Sequence, residues 1–144
     1  GHPKSDVPED YFKIELGKAE IVQEGIECTV IAWGAMLHVA EAGIKESGVS
    51  CELIDLQTLI PFDRDALVNS INKTGRCVIV HEAPKTGGFG AELSASIQEK
   101  CFYSLESPII RVAGWDTPFP HSTEWDYLPN PERIATAIKK TQEV

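Results

Sequence analysis

The sequence predicts an α/β fold: a three-layer open sheet of about five strands, four parallel and one antiparallel, with helices on both faces. Three observations predict it. Short apolar, β-rich runs begin at Cys28, Cys51, Cys77 and Ile109, and stretches with helical periodicity separate them. A further β-rich run, Ala19–Val22, precedes the first of these across a turn that contains Gly25. Strands that alternate with helices of about 10–15 residues need crossover connections, which make them parallel and cover both sheet faces.

Taken in order, Ala19–Val22 and Cys28–Trp33 read as a hairpin, the source of the one antiparallel strand. After Gly34, Met36, Leu37, Ala40 and Ile44 recur at helical spacing, and Gly48 closes that helix. Cys51–Asp55 is the next strand. Asp63 then caps a helix with Leu67, Val68 and Ile71 on its buried stripe, ending at Gly75. Cys77–Val80 is a third buried strand and runs into His81. Gly87-Gly88 precede a helix with Phe89, Leu93, Ile97 and Cys101 on one face. Ile109–Val112 is the fourth parallel strand. Asn130-Pro131-Glu132 supplies a cap, a proline at the first helical position and an acid in the first turn of a last helix carrying Ile134 and Ile138.

The chain has 144 residues, enough for one domain with one real core. Residues 1–15 read as a tag remnant (Gly1-His2-Pro3) and an incoming linker, residues 16–144 as the α/β domain, and the whole as a piece of something longer. Its net charge of −9 argues against a nucleic-acid surface, which needs a basic stripe, and suits a basic protein partner. The acid is uneven: residues 1–75 hold 13 acids against 6 bases, residues 76–144 hold 9 against 7. No apolar run reaches the about 20 residues that cross a bilayer, so no membrane partner is expected. The four cysteines, at 28, 51, 77 and 101, form no C-x-x-C pair and are expected to be reduced, structural and buried, as in a cytosolic or organellar interior. Asn72-Lys73-Thr74 matches a glycosylation sequon but falls in a helix end.

Ligands and partners of such a sheet meet the loops at the carboxyl ends of the strands. Two of these loops stand out. The first, His81-Glu82-Ala83-Pro84 followed by Thr86-Gly87-Gly88-Phe89, has three readings: loop structure, an interface, or a proton-transfer pair of His81 with Glu82. Neighbours on an extended chain point to opposite faces, so the last is not automatic. The glycines match neither a dinucleotide fingerprint nor a P-loop. In the second, Asp116-Thr117-Pro118-Phe119-Pro120-His121, Pro118 and Pro120 stiffen the backbone amid Trp115, Trp125 and Tyr127. Rigid aromatic loops serve as protein–protein anchors, though the same rings would also roof the domain's own core. His81 and His121 are a weak metal pair, and no serine elbow, Cys–His arrangement or paired carboxylates appear.

The order IDLQTLIPFD (54–63), KTGRCVIVHEAPKTGGFGAE (73–92) and AGWDTPFPH (113–121) resembles the C-terminal domain of transketolase-like thiamine enzymes. More closely it is similar to the β subunit of 2-oxo acid dehydrogenase decarboxylase components, above all the branched-chain (2-oxoisovalerate) type. Pyruvate and acetoin dehydrogenase β subunits share much of it. The resemblance spans residues 16–142. It implies a transketolase C-terminal-like sheet within a heterotetramer of α subunits and a second β subunit, using thiamine diphosphate and magnesium for oxidative decarboxylation with a lipoyl acceptor. The family's activating Glu and substrate-proximal His lie in a domain that this sequence does not contain, so the resemblance assigns no catalytic, cofactor-binding or metal residue here. The fragment is expected to bind no cofactor and to be inactive alone. The implied role is assembly: packing across β–β contacts and docking the dihydrolipoyl acyltransferase core, whose basic binding domain suits −9. Self-association of the fragment is a further expectation. The implied compartment is the mitochondrial matrix in a eukaryote and the cytoplasm in a bacterium. The residues alone also leave room for an autonomous small α/β enzyme or ligand-binding module centred on His81 and Glu82.

Overall fold

In the computed structural model, which describes residues 4–143, strands and helices alternate along the chain. They are β1 (Glu20–Gln23), β2 (Cys28–Ala32), α1 (Met36–Ser47), β3 (Cys51–Asp55), α2 (Arg64–Thr74), β4 (Cys77–Pro84), α3 (Phe89–Cys101), β5 (Ile110–Gly114), the single turn α4 (Glu124–Tyr127) and α5 (Pro131–Thr141). The tag reading of Gly1-His2-Pro3 falls outside the described residues. From Lys4 to Glu15 the chain is exposed and forms no helix or strand.

The sheet order is β1-β3-β2-β4-β5. Strand β1 runs antiparallel to β3, and all other neighbours are parallel. The expected count of four parallel strands and one antiparallel strand is therefore correct, but the hairpin is not. Strand β1 does not pair with β2; Glu20, Ile21 and Gln23 lie opposite Asp55, Ile54 and Leu53 of β3. The reason lies in burial. Every residue of β2 is buried and both its edges are taken by β3 and β4, whereas every residue of β1 is exposed, as an edge strand tolerates. Between them the chain turns at Gly25 and crosses the start of β3, where the amides of Ile26 and Glu27 donate to Ser50 O at 3.1 and 2.8 Å.

Alternation along the buried strands builds two cores. Cys28, Val30 and Ala32 of β2 join Leu53, Val78 and Val80 under α1 and α5. Ile31, one residue along, points the other way and joins Ile54 and Ile79 under Leu67 and Ile71 of α2 and Leu93 and Ile97 of α3. Helices α1 and α5 touch at Gly43, where a Cβ would lie 2.7 Å from Ile134.

The helix ends follow the sequence signals. Asp63 Oδ1 accepts from Ala66 N at 3.1 Å, and Asn130 Oδ1 accepts from Arg133 N at 2.8 Å, with Pro131 in the first turn. Gly48 and Gly75 end α1 and α2 at φ 71°, a left-handed conformation that glycine adopts without a Cβ penalty. The sequon Asn72–Thr74 lies in the last turn of α2, where the buried Thr74 hydroxyl meets Thr29 Oγ1 at 2.7 Å.

Candidate assembly site

The chain leaves β2 for β3 on one side and later returns to β4 on the other, so the carboxyl ends of β2 and β4 flank the crevice where open α/β sheets place ligands. Here the crevice is filled by the protein itself. Trp33, just past β2, stacks on His81 near the end of β4, with ring centroids 5.4 Å apart and planes at 18°. Phe89, at the start of α3, meets Trp33 edge-on, and Phe62 meets Phe89 likewise. His81 is 1% exposed, and neither of its ring nitrogens has a hydrogen-bond partner. The two glycines facing it make the room: a Cβ would lie 2.6 Å from His81 Cε1 at Gly88 and 2.4 Å from Nε2 at Gly90. Burial pushes the imidazole below its ordinary pKa, the Arg111 charge adds to this, and the Ala83 backbone opposes it.

Glu82, the next residue, is exposed, so the two side chains part to opposite sides of the strand and form no proton-transfer pair. His121 is likewise exposed, with its ring 5.2 Å edge-on to Phe119. Among the described residues, no group of three or more His, Cys, Asp or Glu side chains is placed to hold a metal ion. Of the two loops singled out in the sequence, only His81, Gly88 and Phe89 belong to the crevice. His81-Glu82-Ala83-Pro84, expected as a loop, is instead the end of β4, with Pro84 opposite Gly114 of β5, and the exposed Gly87 lies in the turn beyond it.

The structure ties those two loops together. Asp116 Oδ1 accepts from Thr86 N at 2.8 Å and its Oδ2 accepts from Thr86 Oγ1 at 2.7 Å. These two bonds, with help from the Lys85 and Arg111 charges, hold the Asp116 carboxyl below the usual carboxylate range. Lys85 N donates to Gly114 O at 3.1 Å, and Arg111 Nη1 donates to Lys85 O at 2.8 Å. Pro118, Phe119 and Pro120 then project from an anchored base. Phe119 stays 44% exposed while resting edge-on against Tyr127. Tyr127 is buried and roofs the core, whereas Phe119 faces outward.

Three contributors went unread in the sequence. Arg133 lies 4.2 Å above the ring of the half-exposed Trp115 and donates from Nη2 to Ala113 O at 2.7 Å, covering part of the open β5 edge. Trp115 Nε1 donates to Asp126 O at 2.9 Å, which pins α4, a turn not foreseen. Thr86 is the third, named only as part of a glycine turn. Only its pairing with Asp116, 30 residues on, reveals its part. A groove of about 740 Å³ runs along β5, with Lys85, Arg111, Asp116, Glu132 and Arg133 at its rim. The whole is a stiff, partly aromatic surface with no paired acid and base.

Comparison with known proteins gives the family of the chain. Residues 17–134 match the family model for the transketolase C-terminal domain. The 2-oxoisovalerate dehydrogenase subunit beta of Pseudomonas aeruginosa is 52% identical over 143 residues, covering 99% of this chain and 41% of the relative. The pyruvate dehydrogenase E1 component subunit beta of Bacillus subtilis is 40% identical over 144 residues, covering 97% of this chain and 44% of the relative. The chain therefore spans about two fifths of the length of these curated relatives. Among solved structures, a split gene transketolase described as an inactive beta4 tetramer superimposes with a TM-score of 0.75 at 27% identity, over 96% of this chain and 47% of that one. With the matched residues reaching from before β1 into α5, and with one antiparallel strand at the edge of four parallel ones, this chain belongs to the transketolase C-terminal domain family.

Proposed function

We propose that this chain is the C-terminal assembly domain of the β subunit of a branched-chain 2-oxo acid dehydrogenase decarboxylase component. Its role is to hold the α subunits and a second β subunit together and to offer the acyltransferase core a surface on a chain of net charge −9. The observation that carries the assembly role is the anchored loop pair. Thr86–Asp116 fixes the base and Phe119 is presented outward, so little entropy is lost when a partner covers it. The identity of 52% to a 2-oxoisovalerate dehydrogenase subunit, against 40% to a pyruvate dehydrogenase one, favours the branched-chain substrate class over the pyruvate alternative.

The residues present do not fit thiamine diphosphate and magnesium. The carboxylates of the described residues are not clustered to hold a metal, and Gly88, at the start of α3, is packed against the His81 ring and the Pro84 carbonyl. In this reading the cofactor sits in the rest of the tetramer, and this domain supports the chemistry by positioning subunits. An autonomous site built on His81 and Glu82 has no geometric support, because one side chain is sealed in and the other faces solvent.

Calorimetric titration of thiamine diphosphate with magnesium into the isolated chain is expected to give only heats of dilution. A saturable isotherm with micromolar affinity contradicts the reading.

A further inference from the structure

Cys28 and Cys51 are the first residues of adjacent parallel strands and lie directly opposite each other in the register. Neighbouring strands lie about 4.8 Å apart, which puts two facing residues inside the Cα separation of about 4.4–6.8 Å that a disulfide spans. Both side chains point into the same core, under α1 and α5. Both are free and fully buried. The other two cysteines, Cys77 and Cys101, belong to the opposite core, beneath α2 and α3. The sheet therefore sorts four cysteines into two separate pairs, and only Cys28 and Cys51 are register partners on neighbouring strands.

We propose that Cys28 and Cys51 form a redox-responsive dithiol that a peroxide converts into an intrachain disulfide between β2 and β3. Cys28 is the attacking sulfur. It is the sulfur that the Thr141 hydroxyl faces, at 3.8 Å, a polar neighbour that favours its thiolate. Cys51 is held protonated, its pKa pushed up in a fully buried site. In the first step the Cys28 thiolate takes one oxygen of hydrogen peroxide, the O–O bond breaks, and hydroxide leaves to become water. Cys28 is now a sulfenic acid, oxidised by two electrons while the peroxide is reduced. In the second step the Cys51 sulfur attacks Cys28, the S–O bond breaks, and the Cys51 proton leaves with the hydroxyl as a second water. Two thiols and one peroxide thus give one disulfide and two waters. Because both sulfurs are sealed, the oxidant enters on opening of the last turn of α5, where Thr141 covers Cys28, so the reaction runs at the rate of that local opening.

The test is peroxide treatment of the folded chain, followed by tryptic mass spectrometry without reductant. Cleavage after Lys18, Lys45 and Arg64 places Cys28 in peptide 19–45 and Cys51 in peptide 46–64. The expected result is a cross-link between these two peptides with the loss of two hydrogens, while circular dichroism stays native. The Cys77→Ser/Cys101→Ser double variant keeps the cross-link, and in Cys51→Ser dimedone labels Cys28. A cross-link between peptides 77–85 and 101–111 instead would overturn the proposal. So would sulfinic acid without any cross-link, or four unmodified thiols in the folded chain under conditions that link the unfolded one.

Discussion

Gly25→Ala is expected to destabilise the fold by about 3 kcal/mol, the upper end of what overpacking costs. Most glycines of a loop accept a methyl group; this one cannot. A Cβ there would lie 2.1 Å from the Cys51 carbonyl carbon, 2.4 Å from its oxygen and 2.5 Å from Glu52 N. All three are main-chain atoms of a buried strand, so no rotamer change relieves the clash. Relief requires the 23–27 segment to lift off β3, which breaks the Ile26 and Glu27 bonds to Ser50 O and frees the strand that seals the sheet edge. The measurement is a urea denaturation series. A fall in the midpoint at unchanged slope is the expected result, and a shift equivalent to less than about 0.5 kcal/mol contradicts this account of β1.

The second large effect concerns His81 and acid. Its folded pKa is lowered by burial, so the folded chain resists a proton that the unfolded chain takes up near pH 6.5. Above that value both states are neutral at this position and stability is flat. As the pH falls from about 6.5 toward the lowered folded value, the unfolded state binds more protons, and stability is lost at up to about 1.4 kcal/mol per pH unit. His81→Leu removes the titrating group and is expected to flatten the curve in that window. Asp55, whose carboxyl is pushed up by burial, is common to both proteins and cancels in the difference. Parallel curves for the two proteins would mean that His81 is not the sealed, unpartnered imidazole described above.

Much of the fold was legible because its signals are local. Asp63 and Asn130 announce their helices by their own chemistry, and cysteine-led runs such as CVIV and CTVIA read as central strands because they bury both faces. The partner of β1 was not legible. A turn between two β-rich runs looks the same whether they pair or part, and the deciding contact is a glycine against a backbone 26 residues away. The candidate site divides the same way. Residues 81–89 and 116–121 stand out through their glycines, prolines and aromatics, but the Thr86–Asp116 bonds that make one surface of them link distant segments. Arg133 carried no signal, since one arginine on a helix matters only once Trp115 is beneath it.

The central claim is that this domain organises subunits and lends no atom to the reaction. It is tested in a tetramer reconstituted from α subunits and β subunits that carry this domain, with Asp116→Ala and Phe119→Ala introduced together. The account predicts subunit association weakened by roughly tenfold or more in sedimentation, the scale of an interface anchor, with turnover per assembled tetramer unchanged. Full assembly at wild-type affinity accompanied by lost turnover would contradict it.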